Sequence, residues 1–189
     1  MFKRPAKAGR VFYNVLNNTA THKIAVGGII MIVKFNLKRL IISLLIPLAA
    51  GGLSAFITRG DMDLYKTVER PPFSPPGIVF PIVWTVLYIL MGISLYLIWN
   101  NGDTYADKTM AYTLFGFQLF LNFIWSPVFF SARQYLLAFT ILVVLWVSVL
   151  FMIISFYKIY KPAGLLQIPY LIWLTVAGYL NIGIYLLNR

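Results

Sequence analysis

Two tryptophans stand where a membrane-crossing chain rarely places them. Trp84 follows Pro76 by about 12 Å of helix, and Trp173 lies about 13 Å into the apolar run that begins at Leu165, at about 1.5 Å rise per residue. In a hydrocarbon core about 30 Å thick both fall near mid-depth, whereas tryptophan normally belongs to the membrane edge. Tyr88 is one turn beyond Trp84 on the same face, and Ala177, one turn beyond Trp173, leaves room beside it. Asn122 and Trp125 lie in the half of their apolar run nearer a proline-rich loop, and Asn181 lies in the same half of the last run. Flat apolar walls with a few amide and hydroxyl groups suit a rigid, planar, mostly apolar ligand. A purely structural alternative stands beside each residue. Asn122 and Asn181 fit interhelical hydrogen bonds, Trp84 and Trp173 fit plain bundle core, and Trp99 and Trp146 fit an interfacial belt or a lipid-facing surface.

Other chemistry lacks its residues. The chain has no cysteine, which removes disulfide and thiol chemistry. His22 is the only histidine, and the five acids, Asp61, Asp63, Glu69, Asp103 and Asp107, all lie between apolar runs. A metal site therefore fails for want of ligands, and acid–base catalysis by paired carboxylates would have to come from loops. No apolar run contains Asp, Glu, Lys, Arg or His, which disfavours an ion-driven pump. No phosphate-cradling or dinucleotide fingerprint is present, and no cofactor is implied. The net charge of +11 comes from one end: residues 1–39 hold eight Lys/Arg and no acid. Orientation in a membrane and contact with anionic lipid explain that better than nucleic acid, for which no base-reading module exists.

The elements that must hold these side chains are apolar spans. Of 189 residues 60% are hydrophobic and 11% charged, with mean hydropathy +0.81, which indicates several spans and no separate soluble domain. The charge-free runs predict spans at about 40–58, 78–100, 109–132, 134–157 and 165–188. The fold class is therefore all-α, an integral membrane five-helix bundle. In the first span Gly51 and Ala55 are spaced for close helix approach, through packing within the subunit or a dimer seam. Residues 59–77 form the longest loop. Residues 63–69 can make a helical turn or two before Pro71, Pro72, Pro75 and Pro76 stop any helix and cap the second span like a lid. Residues 1–36 read as a basic, irregular N-terminal arm, open to disorder. It is acid-free like a mitochondrial targeting arm, but poor in serine and without an amphipathic helix. Met31 precedes a compact span, so residues 1–30 read equally as an extension the functional protein does without. Counting Lys/Arg on the two sides of five spans puts eleven with the N-terminus and five opposite, which predicts a cytoplasmic N-terminus as long as the arm is counted.

Three stretches occur in order: PPFSPPGIVFPIVWTVLYILMG, LNFIWSPVFFSARQ and PYLIWLTVAGYLN. Together they resemble the signatures of the translocator protein / tryptophan-rich sensory protein (TspO/MBR) family, over residues 37–188. The resemblance implies a five-helix bundle, commonly a homodimer, whose first loop covers a pocket for porphyrins and haem-related tetrapyrroles. In animal members the pocket also takes cholesterol and benzodiazepine-type or isoquinoline drugs. Some bacterial members promote light-dependent porphyrin breakdown through pocket tryptophans. By position the family's pocket tryptophans fall on Trp84 and Trp173, its loop tyrosine on Tyr65, its span-three asparagine on Asn122 and its small span-five residue on Ala177. Tyr88 and Trp125 complete the expected ligand-binding set, together with Ser126.

Four positions depart from the family pattern. Phe73 stands where the proline motif often has tryptophan, leaving the lid an aromatic without an indole. Ser126 stands where some relatives have a ligand-bonding asparagine, Ile141 where several carry an acid, and Ile182 where the animal sterol motif places its tyrosine. A displaced sterol-type match remains in Leu180, Tyr185 and Arg189.

The leading expectation is a membrane receptor or transporter for tetrapyrroles, with the ligand stacked between Trp84 and Trp173. Its partners would be porphyrin or haem-type small molecules, the lipid membrane and a second copy of the chain, with no nucleic acid. Its expected location is multi-pass in a membrane, the cell membrane first. The alternatives are a light-dependent porphyrin-degrading enzyme, using Trp84 and Trp173 photochemically, and a ligand-responsive stress sensor. A small multidrug exporter is disfavoured by the absence of a membrane carboxylate.

Overall fold

The computed structural model describes residues 19–26, 29–61, 64–101 and 105–189. The chain divides into two compact units, the first reaching Ile42 and the second running from Ser43 to Arg189. Residues 1–18, and with them most of the segment read as a possible extension, lie outside the described residues.

In the first unit β1 (Thr19–Val26) and β2 (Ile29–Asn36) pair antiparallel, from Thr19 opposite Asn36 to Val26 opposite Ile29. From sequence this segment is expected to be irregular. The difference has a local cause: the first strand carries Thr19, Thr21, Ile24 and Val26 and the second Ile29, Ile30, Ile32 and Val33, and β-branched residues favour the pleated conformation. A test against membrane-crossing length alone misses it. Helix α1 (Leu37–Thr58) begins in this unit and continues into the second. The Asn36 side-chain oxygen accepts from the Arg39 amide at 3.0 Å, an N-cap bond.

In the second unit the chain continues through α2 (Leu64–Thr67), α3 (Val79–Asn100), α4 (Tyr105–Phe130), α5 (Tyr135–Ile159), α6 (Lys161–Leu165) and α7 (Ile168–Leu187). Among the described residues five segments are long and apolar enough to cross a membrane: Leu37–Thr58, Val79–Asn100, Lys108–Phe130, Tyr135–Ile159 and Lys161–Leu187. The protein is a multi-pass integral membrane protein built as a five-helix bundle. The turns shift the expected span ends by a few residues. Arg133 adopts φ 53°, and the Ala132 and Gln134 amides close back on the carbonyls of Pro127 and Val128, so α4 ends at Phe130 and α5 starts at Tyr135. Pro162 and Pro169 each sit at the start of a helix, where a missing amide costs nothing, and split the last span into α6 and α7.

Prolines also decide how α1 is fastened. Pro127 cannot donate to the carbonyl of Phe123, and Ser54 of α1 supplies that bond from its hydroxyl at 3.0 Å. Four residues on, the Thr58 hydroxyl lies 3.3 Å from that of Ser126, and the Ser131 hydroxyl donates to Asp61 at 2.5 Å. At the other end Gly92 lets α3 approach α1, since a Cβ there would stand 2.7 Å from Leu44 Cα. The Ser94 hydroxyl donates to the Ala163 carbonyl at 2.5 Å and Gln167 Nε2 to that of Leu90 at 3.2 Å, tying α3 to α6 and the start of α7. Leu142, Leu145, Val149, Met152 and Phe156 of α5 are buried with Met91, Ile98 and Leu174, forming the packed half of the bundle. The other half is hollow.

Candidate ligand cavity

The hollow is a cavity of about 390 Å³ between α1, α3, α4 and α7, at the end of the bundle covered by the 59–77 loop. Its volume falls in the range of about 300–1,000 Å³ usual for small-molecule sites. Helix α5 contributes no lining residue.

Helical spacing explains which side chains reach it. On α3, Phe80, Trp84 and Tyr88 are four apart and share one face; on α4, Asn122, Trp125, Ser126 and Phe129 do the same; on α7, Ala177, Leu180, Asn181 and Ile184 follow. Trp84 is the hub. Its ring stacks on Tyr88 at 5.6 Å between centroids, lies 6.4 Å from Trp125 and meets Tyr170 edge-on at 6.1 Å. Aromatic pairs of this kind contribute about 0.5–1.5 kcal/mol each beyond burial. The Tyr88 ring has its place because residue 51 is glycine: a Cβ there would fall 2.1 Å from Tyr88 Cε2. The small residue at position 51 thus serves packing within the chain.

The polar groups form a chain. The Tyr88 hydroxyl donates to Asn122 Oδ1 at 2.8 Å, Asn122 Nδ2 donates to the Tyr170 hydroxyl at 2.9 Å, and that hydroxyl donates to Gln118 Oε1 at 3.0 Å. Three helices are joined through it, and Asn122 serves both bundle and cavity wall. With the Asn181 amide turned to satisfy both its atoms, its nitrogen donates to the Tyr135 carbonyl at 2.8 Å and its oxygen accepts from Trp125 Nε1 at 3.1 Å. The result is an aromatic chamber with its few polar atoms already oriented, able to hold a flat, mostly apolar molecule. Among the described residues no three His, Cys, Asp or Glu side chains converge as metal ligands.

Over the chamber, the Tyr65 hydroxyl donates to the Pro75 carbonyl at 3.0 Å, its ring meets Phe80 edge-on at 5.0 Å, and the Arg70 guanidinium lies 5.0 Å from its centroid. The loop is stapled to α7. Glu69 N donates to Asn188 Oδ1 at 3.0 Å and Asn188 Nδ2 returns a bond to the Glu69 carbonyl at 2.9 Å. The Tyr179 hydroxyl donates to the Pro72 carbonyl at 2.9 Å. Pro71 is buried against Gly183, where a Cβ would come within 2.6 Å of the ring.

Of the residues expected from sequence, Tyr65, Trp84, Tyr88, Asn122, Trp125, Ser126 and Ala177 line this one cavity. Trp173 does not. It stands behind Phe80, edge-on at 5.8 Å, and lines a separate apolar groove of about 360 Å³ with Val83, Leu87 and Pro169. Trp84 and Trp173 therefore do not face each other across the cavity, and the two tryptophans that line it are Trp84 and Trp125, in tilted contact with each other. A residue number gives depth but not rotation about the helix axis, and Phe80 takes the intervening space. Phe73 also departs from expectation. It sits at the loop tip with φ 60° and is 99% exposed, turned away from the chamber, so the lid's aromatic is Tyr65. The three sterol-type residues are dispersed: Leu180 is buried in the cavity wall, Tyr185 is half-buried outside it and Arg189 is exposed at the chain end. Sequence reasoning missed Tyr170 and Phe80, although Tyr170 lies seven residues before Ala177 and Phe80 four before Trp84, spacings that share a face.

The fold and the chamber define a class: a small multi-pass membrane protein whose helices enclose an aromatic cavity under a structured first loop. The profile described as the TspO/MBR family matches residues 43–187, and the chain belongs to that family. It is similar to the tryptophan-rich protein TspO of Archaeoglobus fulgidus, 40% identical over 154 residues that cover 81% of this chain and 99% of that protein. It is likewise similar to the translocator protein of Bos taurus, 34% identical over 72% of this chain and 82% of that protein. The tryptophan-rich sensory protein of Cereibacter sphaeroides is 33% identical over 66% of this chain and 76% of its own length.

Proposed function

We propose that the protein is a membrane receptor or transporter that binds a tetrapyrrole, a porphyrin or haem-related molecule, in the chamber beneath the 59–77 loop. The carrying observation is the Trp84 hub. One indole at the cavity wall, backed by Tyr88, Trp125 and Tyr170 within 6.4 Å, offers a rigid stacking surface for a flat macrocycle. Its neighbours are pinned by hydrogen bonds, so little order is lost on binding. The names of the similar proteins, translocator and tryptophan-rich sensory protein, support a role in moving or reporting a ligand.

The test is a titration of the purified protein in lipid nanodiscs with protoporphyrin IX, following tryptophan emission. Saturable quenching is expected, with affinity at least tenfold weaker in Trp84→Phe. Non-saturable quenching, or an unchanged affinity in a Trp84→Phe, Trp125→Phe double variant, overturns the reading.

One observation favours a second reading, light-dependent oxidative breakdown of the porphyrin, with dissolved dioxygen as the oxidant and an indole giving an electron to the excited macrocycle. Trp84 and Trp125 line the same cavity 6.4 Å apart, which supports a role for two oxidisable indoles in that chemistry. Illumination should then bleach bound porphyrin faster than porphyrin in empty nanodiscs, and Trp84→Phe should remove the difference. Equal bleaching with and without protein rejects it.

A further inference from the structure

We infer that the chamber exchanges its ligand sideways with the bilayer, through a slot between α1 and α3, and that its ligand is a molecule already dissolved in the hydrocarbon. The inference rests on the chamber being a ligand site and concerns how that site is reached. Among the described lining residues, those of α4 and α7 are buried or half-buried. The exposed ones all belong to two neighbouring edges: Gly52 and Ala55 on α1, and Gly77, Pro81 and Thr85 at the start of α3. The two helices meet at Leu44 and Gly92 and again where Tyr88 rests on Gly51. One residue on, a Cβ at Gly52 would meet nothing within 4 Å. The two helices thus touch at Gly92 and at Gly51, while toward the loop the cavity-lining positions on both edges are exposed.

Depth and chemistry of the rim agree. Gly52 lies about 9 Å from the loop end of α1, and Thr85 about 9 Å from the loop end of α3, at 1.5 Å per residue. Both are thus level with acyl chains rather than headgroups. The Thr85 hydroxyl is spent on the Pro81 carbonyl at 2.7 Å, so none of the named rim side chains, Ala55, Pro81 and Thr85, offers a free donor or a charge. The aqueous route is closed by comparison. Lifting the loop breaks the paired bonds of Asn188 and Glu69, the Tyr179 bond to Pro72 and the seating of Pro71 on Gly183. Entry through the slot breaks none of these. A ligand using it must cross lipid with its polar substituents few or trailing toward the loop.

Gly52→Phe fills the slot where space is open, with Ala55→Leu as a second variant should the first fail to insert. In proteoliposomes loaded with protoporphyrin IX from donor vesicles, stopped-flow quenching should show association and dissociation both slowed at least tenfold. Asn188→Ala, which loosens the loop, should leave both rates within about twofold. If the slot variants keep wild-type rates, or Asn188→Ala accelerates exchange instead, the inference is overturned. A second arm does not depend on porphyrin. With Trp99, Trp146 and Trp173 replaced by Phe, phospholipids brominated on the acyl chains should quench Trp84 and Trp125, and Gly52→Phe should at least halve that quenching. Equal quenching in both proteins overturns the slot. Absence of porphyrin binding with the bromolipid effect intact overturns the tetrapyrrole reading and leaves the slot standing.

Discussion

The ring of Tyr88 stands where a side chain at Gly51 would have to be. A Cβ built on Gly51 lies 2.1 Å from Tyr88 Cε2, closer than any real contact, so α1 and the chamber wall share one volume. Gly51→Val should displace the ring, break its bond to Asn122 and cost about 1–3 kcal/mol, as overpacking does. Thermal unfolding in detergent measures it, and an unchanged midpoint with full ligand affinity contradicts it.

Asn122 holds two tyrosines at once. Replacing it with Ala leaves the hydroxyls of Tyr88 and Tyr170 without that partner, and the expected cost is about 1–2 kcal/mol, the scale of interhelical hydrogen bonds in membranes. A double-mutant cycle with Tyr88→Phe should be non-additive, because both changes remove the same bond. Additive losses would show that the bond carries no energy.

The two tryptophans paired by sequence should behave differently. Trp84→Phe is expected to weaken porphyrin binding at least tenfold, and Trp173→Phe less than threefold, because Phe80 stands between Trp173 and the cavity. Equilibrium quenching of the remaining tryptophans reports both. Equal losses would place the ligand across Phe80.

Ser54 is the strut between α1 and the proline-freed carbonyl of Phe123. Ser54→Ala should destabilise by about 0.6–1.7 kcal/mol and speed hydrogen exchange in the second half of α1. Exchange confined to wild-type rates there would show that the bond does not restrain the helix.

The loop staple is open to proteolysis. Asn188→Ala removes both bonds to Glu69, and cleavage within residues 59–77 should accelerate severalfold at an unchanged midpoint of global unfolding. An unaltered cleavage rate would mean that Tyr179 and Pro71 hold the loop by themselves.

Much of this architecture is legible in the residue order because its causes are local. Charge-free runs of about 20 residues set the number of spans, prolines stop or start helices, and the 3.6-residue period puts Trp84 with Tyr88 and Asn122 with Trp125 and Ser126 on common faces. The local β preference of residues 19–36 was equally present, but it is invisible to a search for spans.

What the tertiary structure decided are relations between elements. Trp173 has the depth of Trp84 but not its rotation, and a change of one residue turns a side chain by about 100° around its axis. Trp125 lines the cavity beside Trp84, with its indole nitrogen held by Asn181 from another helix. Phe73 was turned outward by a left-handed turn, leaving Tyr65, already expected from sequence, as the aromatic over the chamber. The inferred slot rests on the same kind of relation: α1 touches α3 at Gly92 and Gly51, while a Cβ at Gly52 would meet nothing within 4 Å. Sequence period places a residue on a face; only packing against the neighbouring helices decides what that face meets.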